Sequence, residues 1–175
     1  MARGGTFDLY LVRHALAGHA DPALWPDDGK RPLTEDGIRK FAAAARGLRK
    51  IVPAVDVVLS SGYARAWETA VLLHEHAKWP APRECSALEA ERPAASALPV
   101  LREQSAPSLA LVGHEPYLST LASILCAGGE EVLRLELKKG AVALLEVRAD
   151  GGSGSAYLRW AVAPKILRAV GRASR

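Results

Sequence analysis

Arg13 and His14 stand side by side directly after the run Leu9-Tyr10-Leu11-Val12, and two more basic residues, Arg65 and His114, each follow another short apolar run. A guanidinium is a planar fork of N–H donors that fits phosphoryl oxygens and offsets their charge as it develops. An imidazole can attack phosphorus through a bare ring nitrogen, and a second imidazole can donate a hydrogen bond to the same group. These residue types point to phosphoryl chemistry, with either histidine able to take either part. No Walker A motif, GxGxxG sequence or metal-ligand cluster offers a competing chemistry.

For four such groups to meet, the chain must bring distant segments to one place. Residues 7–12 are apolar except for Asp8, the pattern of a buried strand in a parallel sheet. In open α/β sheets ligands bind beyond the carboxyl ends of the strands, which is where Arg13 and His14 arrive. The loop at 16–32 is rich in Gly, Asp and Pro, and its length suits a segment that covers a site or binds substrate. Thr34 reads as an N-cap with Glu35 and Asp36 in the first turn, and Ile38, Phe41, Ala42, Ala45 and Leu48 follow at helical spacing to face the sheet. Pro53 closes that helix.

The alternation continues along the chain. A strand at 56–60 leads into a helix at 63–78 with Arg65 in its first turn, stopped by Pro80. A short strand near Cys85, a helix at 94–103 and a buried strand at 108–112 follow, the last turning through Gly113 into His114. Pro116 opens a helix to about Leu125, terminated by Gly128-Gly129. Residues 132–137, 141–147 and 156–163 read as strands, the last two joined by a hairpin loop at 151–154. If the strands before His14, Arg65 and His114 are parallel, all four basic side chains converge on one pocket.

The length, 175 residues, fits a single domain covering 1–175. A formal net charge of +4, from 23 basic and 19 acidic side chains, is too small to argue for nucleic acid. Part of that excess, at Lys165, Arg168, Arg172 and Arg175, reads as a basic, solvated C-terminal tail over about 165–175. Arg3 precedes no adequate signal-type apolar run and no stretch approaches membrane-spanning length, so no membrane partner is expected. Cys85 and Cys126 form neither a disulfide framework nor a zinc pattern, which fits a reducing, cytoplasmic setting. His19 reads as a loop residue, and His74 and His76, two apart on a helix, do not share a face. Trp25, Trp67, Trp79 and Trp160 read as packing residues, and Asp27 and Asp28 as solvated.

Three segments carry a resemblance. Leu11-Val12-Arg13-His14 is similar to the first motif of the histidine phosphatase superfamily, also called phosphoglycerate mutase-like. Residues 60–70 (SSGYARAWETA) resemble its second motif, and Val112-Gly113-His114-Glu115-Pro116 its third. The short length, Ala15 in place of Gly, Arg31-Pro32-Leu33-Thr34 and Lys139-Gly140-Ala141 resemble the SixA-type phosphohistidine phosphatase branch. The resemblance spans residues 8 to about 147. It implies a three-layer α/β/α sandwich and a covalent phosphohistidine enzyme intermediate formed without a metal or other cofactor. It also implies His14 as nucleophile, with Arg13, Arg65 and His114 completing the phosphate pocket. Ala15 in place of Gly implies a negative φ there; Gly62 and Glu68 stand where Pro and Gln are usual.

Glu89 and Glu91 are the candidates for the general acid that larger members carry between the second and third motifs, although Glu89 also reads as an exposed loop carboxylate. An alcohol needs a proton in order to leave, whereas imidazole, with a pKa of roughly 6.5, leaves with far less help. The expected activity is therefore removal of phosphate from phosphohistidine in a protein. The alternatives are a small-molecule phosphomonoesterase, with Glu89 as the acid, and a non-catalytic phosphate-binding module.

Overall fold

Strand β1 (Thr6–Arg13) occupies the interior of a six-stranded sheet in a computed structural model that describes residues 5–173. Its side chains alternate between two apolar layers. Tyr10 and Val12 enter one core, and Phe7, Leu9 and Leu11 enter the other. β4 (Ser108–Gly113) runs parallel to β1, β2 (Val57–Ser60) parallel to β4, and the two-residue β3 (Arg83–Glu84) parallel to β2. β5 (Val142–Arg148) lies antiparallel on the other side of β1, and β6 (Ala156–Val162) antiparallel to β5, giving the order β3-β2-β4-β1-β5-β6. The sheet is thus mixed, while every strand that leads into Arg13, Arg65 or His114 belongs to its parallel half.

Helices α1 (Glu35–Ile51), α2 (Ala64–Leu72) and α5 (Pro164–Arg172) cover one face, and α3 (Ala97–Glu103) and α4 (Tyr117–Ala127) the other. This is the expected three-layer α/β/α sandwich. The Thr34 hydroxyl accepts from Gly37 N–H to cap α1, whose Phe41, Ala42, Ala45 and Leu48 are buried. Ile38 departs from expectation and is exposed. The first turn of α1 rides on the loop before it rather than on the sheet: a Cβ at Gly37 would stand 2.1 Å from the Leu16 carbonyl oxygen. That close approach leaves Ile38 facing outward.

Other differences have equally local causes. The helix read over 63–78 is α2 followed by a π-helical turn, Leu73–Ala77, and Lys78 turns left-handed at φ 62°. The helix read over 94–103 is a 3₁₀ turn at Ala94–Ser96 continued by α3. Residues 132–137 are not a strand. Leu133 and Leu135 are half-buried, Leu137 is buried, and Val132, Arg134 and Glu136 are exposed, so the period of two is present without a strand to pair with. Cys85 and Cys126 are free thiols, and no helix among the described residues is long and apolar enough to cross a membrane.

The basic stretch at 165–175 is corrected by the structure. Lys165, Arg168 and Arg172 lie on α5, not on a solvated tail, while Arg175, like Arg3, lies outside the described residues. Leu167 is fully buried against α1. Gly47 permits the contact, because a Cβ there would lie 1.8 Å from the Leu167 carbonyl oxygen. Lys50 Nζ donates to the carbonyls of Val170, Gly171 and Ala173, closing the C-terminal end of α5. The measurable consequence is that Leu167→Ala will cost about 3 kcal/mol and lower Tm by about 10 °C. Ile166→Ala, at an exposed position on the same helix, will stay within about 0.5 kcal/mol of wild type in the same thermal melts.

Candidate active site

Parallel pairing sets the ends of β1, β4 and β2 level. Arg13 lies opposite Gly113, and Ser60 opposite Val112. The ladder continues one residue past the strands: His14 N–H donates to Gly113 O at 2.9 Å and Ser61 N–H to Val112 O at 3.0 Å. Gly140 N–H then donates to His14 O at 3.0 Å, binding the chain just before β5 to the same corner. Thr69, one helical turn beyond Arg65, ties α2 to this frame, since its hydroxyl accepts from Ala15 N–H and donates to Arg65 O. Ala15 has no positive φ, as its side chain implies. Glu68 accepts from Leu33 N–H at 2.8 Å, so α2 also holds the end of the 16–32 loop.

On this frame Arg13, His14, Arg65 and His114 are brought together. The two imidazole rings lie 5.4 Å apart between centroids, both buried. His14 Nδ1 is 2.7 Å from Ala15 O. A carbonyl oxygen only accepts, so the ring proton sits on Nδ1 and Nε2 carries a bare lone pair. Burial, reinforced by the neighbouring His114 and both arginines, lowers the His14 pKa to about 3, although its backbone hydrogen bond works the other way. His114 falls to about 4, again through burial first and Arg65 next. Both rings are neutral near pH 7.

His114 Nε2 lies 3.0 Å from Ser61 Oγ, which also accepts from Tyr63 N–H. His114 Nδ1 is buried with no hydrogen-bond partner. Arg13 donates from one terminal nitrogen to Leu137 O at 2.7 Å. Arg65 stacks over the Tyr63 ring at 5.2 Å, and that ring meets His114 edge-on at 5.1 Å. The Nε atoms of Arg13 and Arg65 are buried and also lack partners. Two orphaned guanidinium N–H groups beside an unpartnered imidazole nitrogen fit a site that receives an acceptor-rich ligand.

The two candidate acids engage elsewhere. Glu89 lies 3.8 Å from Arg92 in an ion pair, and Glu91 accepts from the Tyr63 hydroxyl, whose pKa is pushed up to about 12 mainly by burial and then by that bond. Among the described residues no carboxyl hydrogen-bonds to the His14 ring. Two acidic residues escaped the sequence reading. Asp28, read as solvated, binds Arg65 and Arg31. Glu115 keeps one buried oxygen without a partner while the other accepts from Ser119 at 2.5 Å, and burial raises its pKa. The only local signals were the spacings of Asp28 to Arg31 and of Glu115 to Ser119; the contact that brings Asp28 to the site, with Arg65, lies on another element. Trp79 is core, whereas Trp25, Trp67 and Trp160 are half-buried. His19 is exposed, and His74 Nδ1 donates to Trp79 O rather than pairing with His76.

Residues 9–91 match the histidine phosphatase superfamily (branch 1). An uncharacterized protein of Picosynechococcus sp. (strain ATCC 27264 / PCC 7002 / PR-6) is 33% identical over 138 residues, covering 77% of this chain and 82% of the relative. Among solved structures, SixA from Nakamurella multipartitia is 28% identical with a TM-score of 0.74, covering 91% of this chain and 97% of that one. Protein histidine phosphatase SixA complexed with tungstate superposes at a TM-score of 0.79 and 21% identity, covering 92% and 99% of the two chains. The fold extends to other substrates: a mycobacterial glucosyl-3-phosphoglycerate phosphatase with inorganic phosphate superposes at 0.66 and 16% identity, covering 91% and 99%.

Both site histidines bind protons less well folded than unfolded. Protonation therefore opposes folding: their contribution to stability is complete above pH 6.5 and is eroded as pH falls from 6.5 toward 4. Ring-resonance titration by NMR is expected to find His14 and His114 neutral from pH 8 down to pH 5. Titration of either ring near pH 6.5 would contradict the electrostatics described above.

Proposed function

The chain belongs to the histidine phosphatase superfamily, and on that footing we propose that this phosphatase acts on phosphohistidine in a protein, with His14 as the nucleophile. The observation that carries the reading is the His14 ring itself: neutral, buried, and fixed by Ala15 O in the tautomer that leaves Nε2 free. Nε2 forms a bond to phosphorus as the substrate's P–N bond breaks, the leaving ring taking the bonding pair. Water then hydrolyses the phosphorylated His14. Arg13, Arg65 and His114 hold the phosphoryl oxygens and offset the charge that builds on them. The unpartnered Nε–H groups of both arginines support that role.

The leaving group decides between P–N and P–O cleavage. A phosphoimidazole protonated on its second nitrogen departs as neutral imidazole and needs no acid. An alkoxide does need one. Glu89 faces Arg92, Glu91 engages Tyr63, and Glu115 is turned onto Ser119, which together support P–N cleavage. The second reading, a small-molecule phosphomonoesterase, is favoured by one observation, the raised pKa of Glu115 beside His114.

Phosphate release in excess chelator, from a phosphohistidine-bearing protein and from p-nitrophenyl phosphate, tests both readings. The phosphohistidine substrate is expected to react faster, His14→Ala to lose at least about 1,000-fold, and Arg65→Ala about 100-fold or more. Glu89→Gln and Glu115→Gln are expected to leave phosphohistidine turnover within a few-fold of wild type. Full activity in His14→Ala overturns the mechanism. A monoester rate above the phosphohistidine rate, lost in Glu115→Gln, establishes the second reading.

A further inference from the structure

The Arg65 fork is already filled. One terminal nitrogen donates to the Asp28 backbone oxygen at 2.8 Å and the other to the Asp28 carboxylate at 2.9 Å. The turn that brings Asp28 there is built for it. Asp27 caps the 3₁₀ turn Asp28–Lys30 by accepting from Gly29 N–H, and Gly29 sits against the Tyr63 ring on which Arg65 stacks. Arg31 grips the Asp28 carboxylate at 2.7 Å and fastens the turn to Gly18 O at 2.6 Å. Asp28 thus lies between two guanidiniums at the edge of the His14–His114 cluster, and Arg31 foremost holds its carboxyl below the usual range. It is an anion at pH 7 that holds both terminal nitrogens of Arg65 and leaves only Nε without a partner.

We propose that Asp28 is a specificity-determining residue: it holds the terminal nitrogens of Arg65 and disfavours phosphoryl ligands that bring no cation of their own. Inorganic phosphate, or the monoester of a neutral alcohol, must either bind at the Arg65 Nε–H next to a carboxylate or displace that carboxylate from the terminal nitrogens, and in both cases sits beside it while Arg31 keeps it close. A phosphohistidine protonated on its second ring nitrogen carries a positive charge next to its phosphoryl group, and the displaced carboxylate faces that charge. The P–N bond breaks with its electron pair on the leaving nitrogen. The proton stays on the other nitrogen, and the ring leaves neutral. Such a leaving group needs no proton donor; what a nearby anion supplies is attraction for the cationic substrate and retention of the proton on its second nitrogen, which is the part given to Asp28. The same carboxylate weakens retention of the phosphate product. This inference rests on the phosphatase reading above and names what selects its substrate.

The test compares wild type with Asp28→Asn and Asp28→Glu, reading inhibition by inorganic phosphate together with kcat/KM for phosphohistidine protein and for p-nitrophenyl phosphate. Asp28→Asn is expected to bind phosphate about tenfold more tightly and to lower the ratio of phosphohistidine to monoester kcat/KM about tenfold, by removing one charge at close range. Asp28→Glu, which keeps the charge, is expected to retain a ratio near that of wild type and so separates charge from shape. Phosphate affinity and substrate ratio both within twofold of wild type in Asp28→Asn would overturn the inference while leaving the catalytic reading intact, provided wild type turns over phosphohistidine. Wild type inert toward phosphohistidine and blind to phosphate would instead bring down the catalytic reading, and this inference with it.

Discussion

Two guanidiniums and two imidazoles packed at the buried end of a sheet cannot all be charged, and the site follows from how that conflict is resolved. The arginines keep their protons, since nothing in a protein removes them. Each must then find oxygen: Arg13 takes the Leu137 carbonyl and Arg65 takes Asp28. The imidazoles yield instead. Burial and the neighbouring cations hold both neutral, so the neutrality that the proposed nucleophile His14 requires is produced in part by the arginines proposed to bind the phosphoryl group.

That crowding persists because backbone, not side chains, sets the spacing. The rungs between β1, β4 and β2 extend one residue beyond the strands, through His14 N–H to Gly113 O and Ser61 N–H to Val112 O. Thr69 adds the link to α2, holding the Ala15 amide and the Arg65 carbonyl with one hydroxyl. Shifting any strand by one residue would exchange Tyr10 and Val12 for Leu9 and Leu11 between the two cores. The apolar alternation that drives folding therefore also fixes where the basic residues arrive.

Much of this was legible in the sequence because it is periodic or punctuated. A nearly continuous apolar run marked β1, Thr34 marked the start of α1, and Gly128 its counterpart at the end of α4. The meeting of Arg13, His14, Arg65 and His114 followed from three strand ends and a parallel sheet. Where the reading failed, the missing information was tertiary. Residues 132–137 have a strand's period but no neighbour to pair with. Residues 164–172 look like a charged tail until Gly47 is seen to admit Leu167. Asp28 looks solvated until Arg65, 37 residues later, is folded against it. Glu115 sits beside a site histidine, yet whether it faces the ligand or the start of α4 is a matter of rotamer, which no spacing encodes.

The site therefore joins two parts with different physical dependence. Arg13, His14 and His114 lie at strand ends, and Arg65 in the first turn of a helix, so their positions are tied to the whole core and any displacement strains it. Asp28 sits on an exposed turn held by Asp27, Arg31 and the Gly18 carbonyl, and depends on no buried apolar contact. A substitution there changes the field at Arg65 without touching the sheet. Under the role proposed for Asp28, selectivity is retuned at small cost to stability, whereas the His14 imidazole cannot be moved without repacking the fold. On that proposal a histidine phosphatase scaffold keeps one phosphoryl-transfer centre while the charge placed at its mouth determines which leaving groups it accepts.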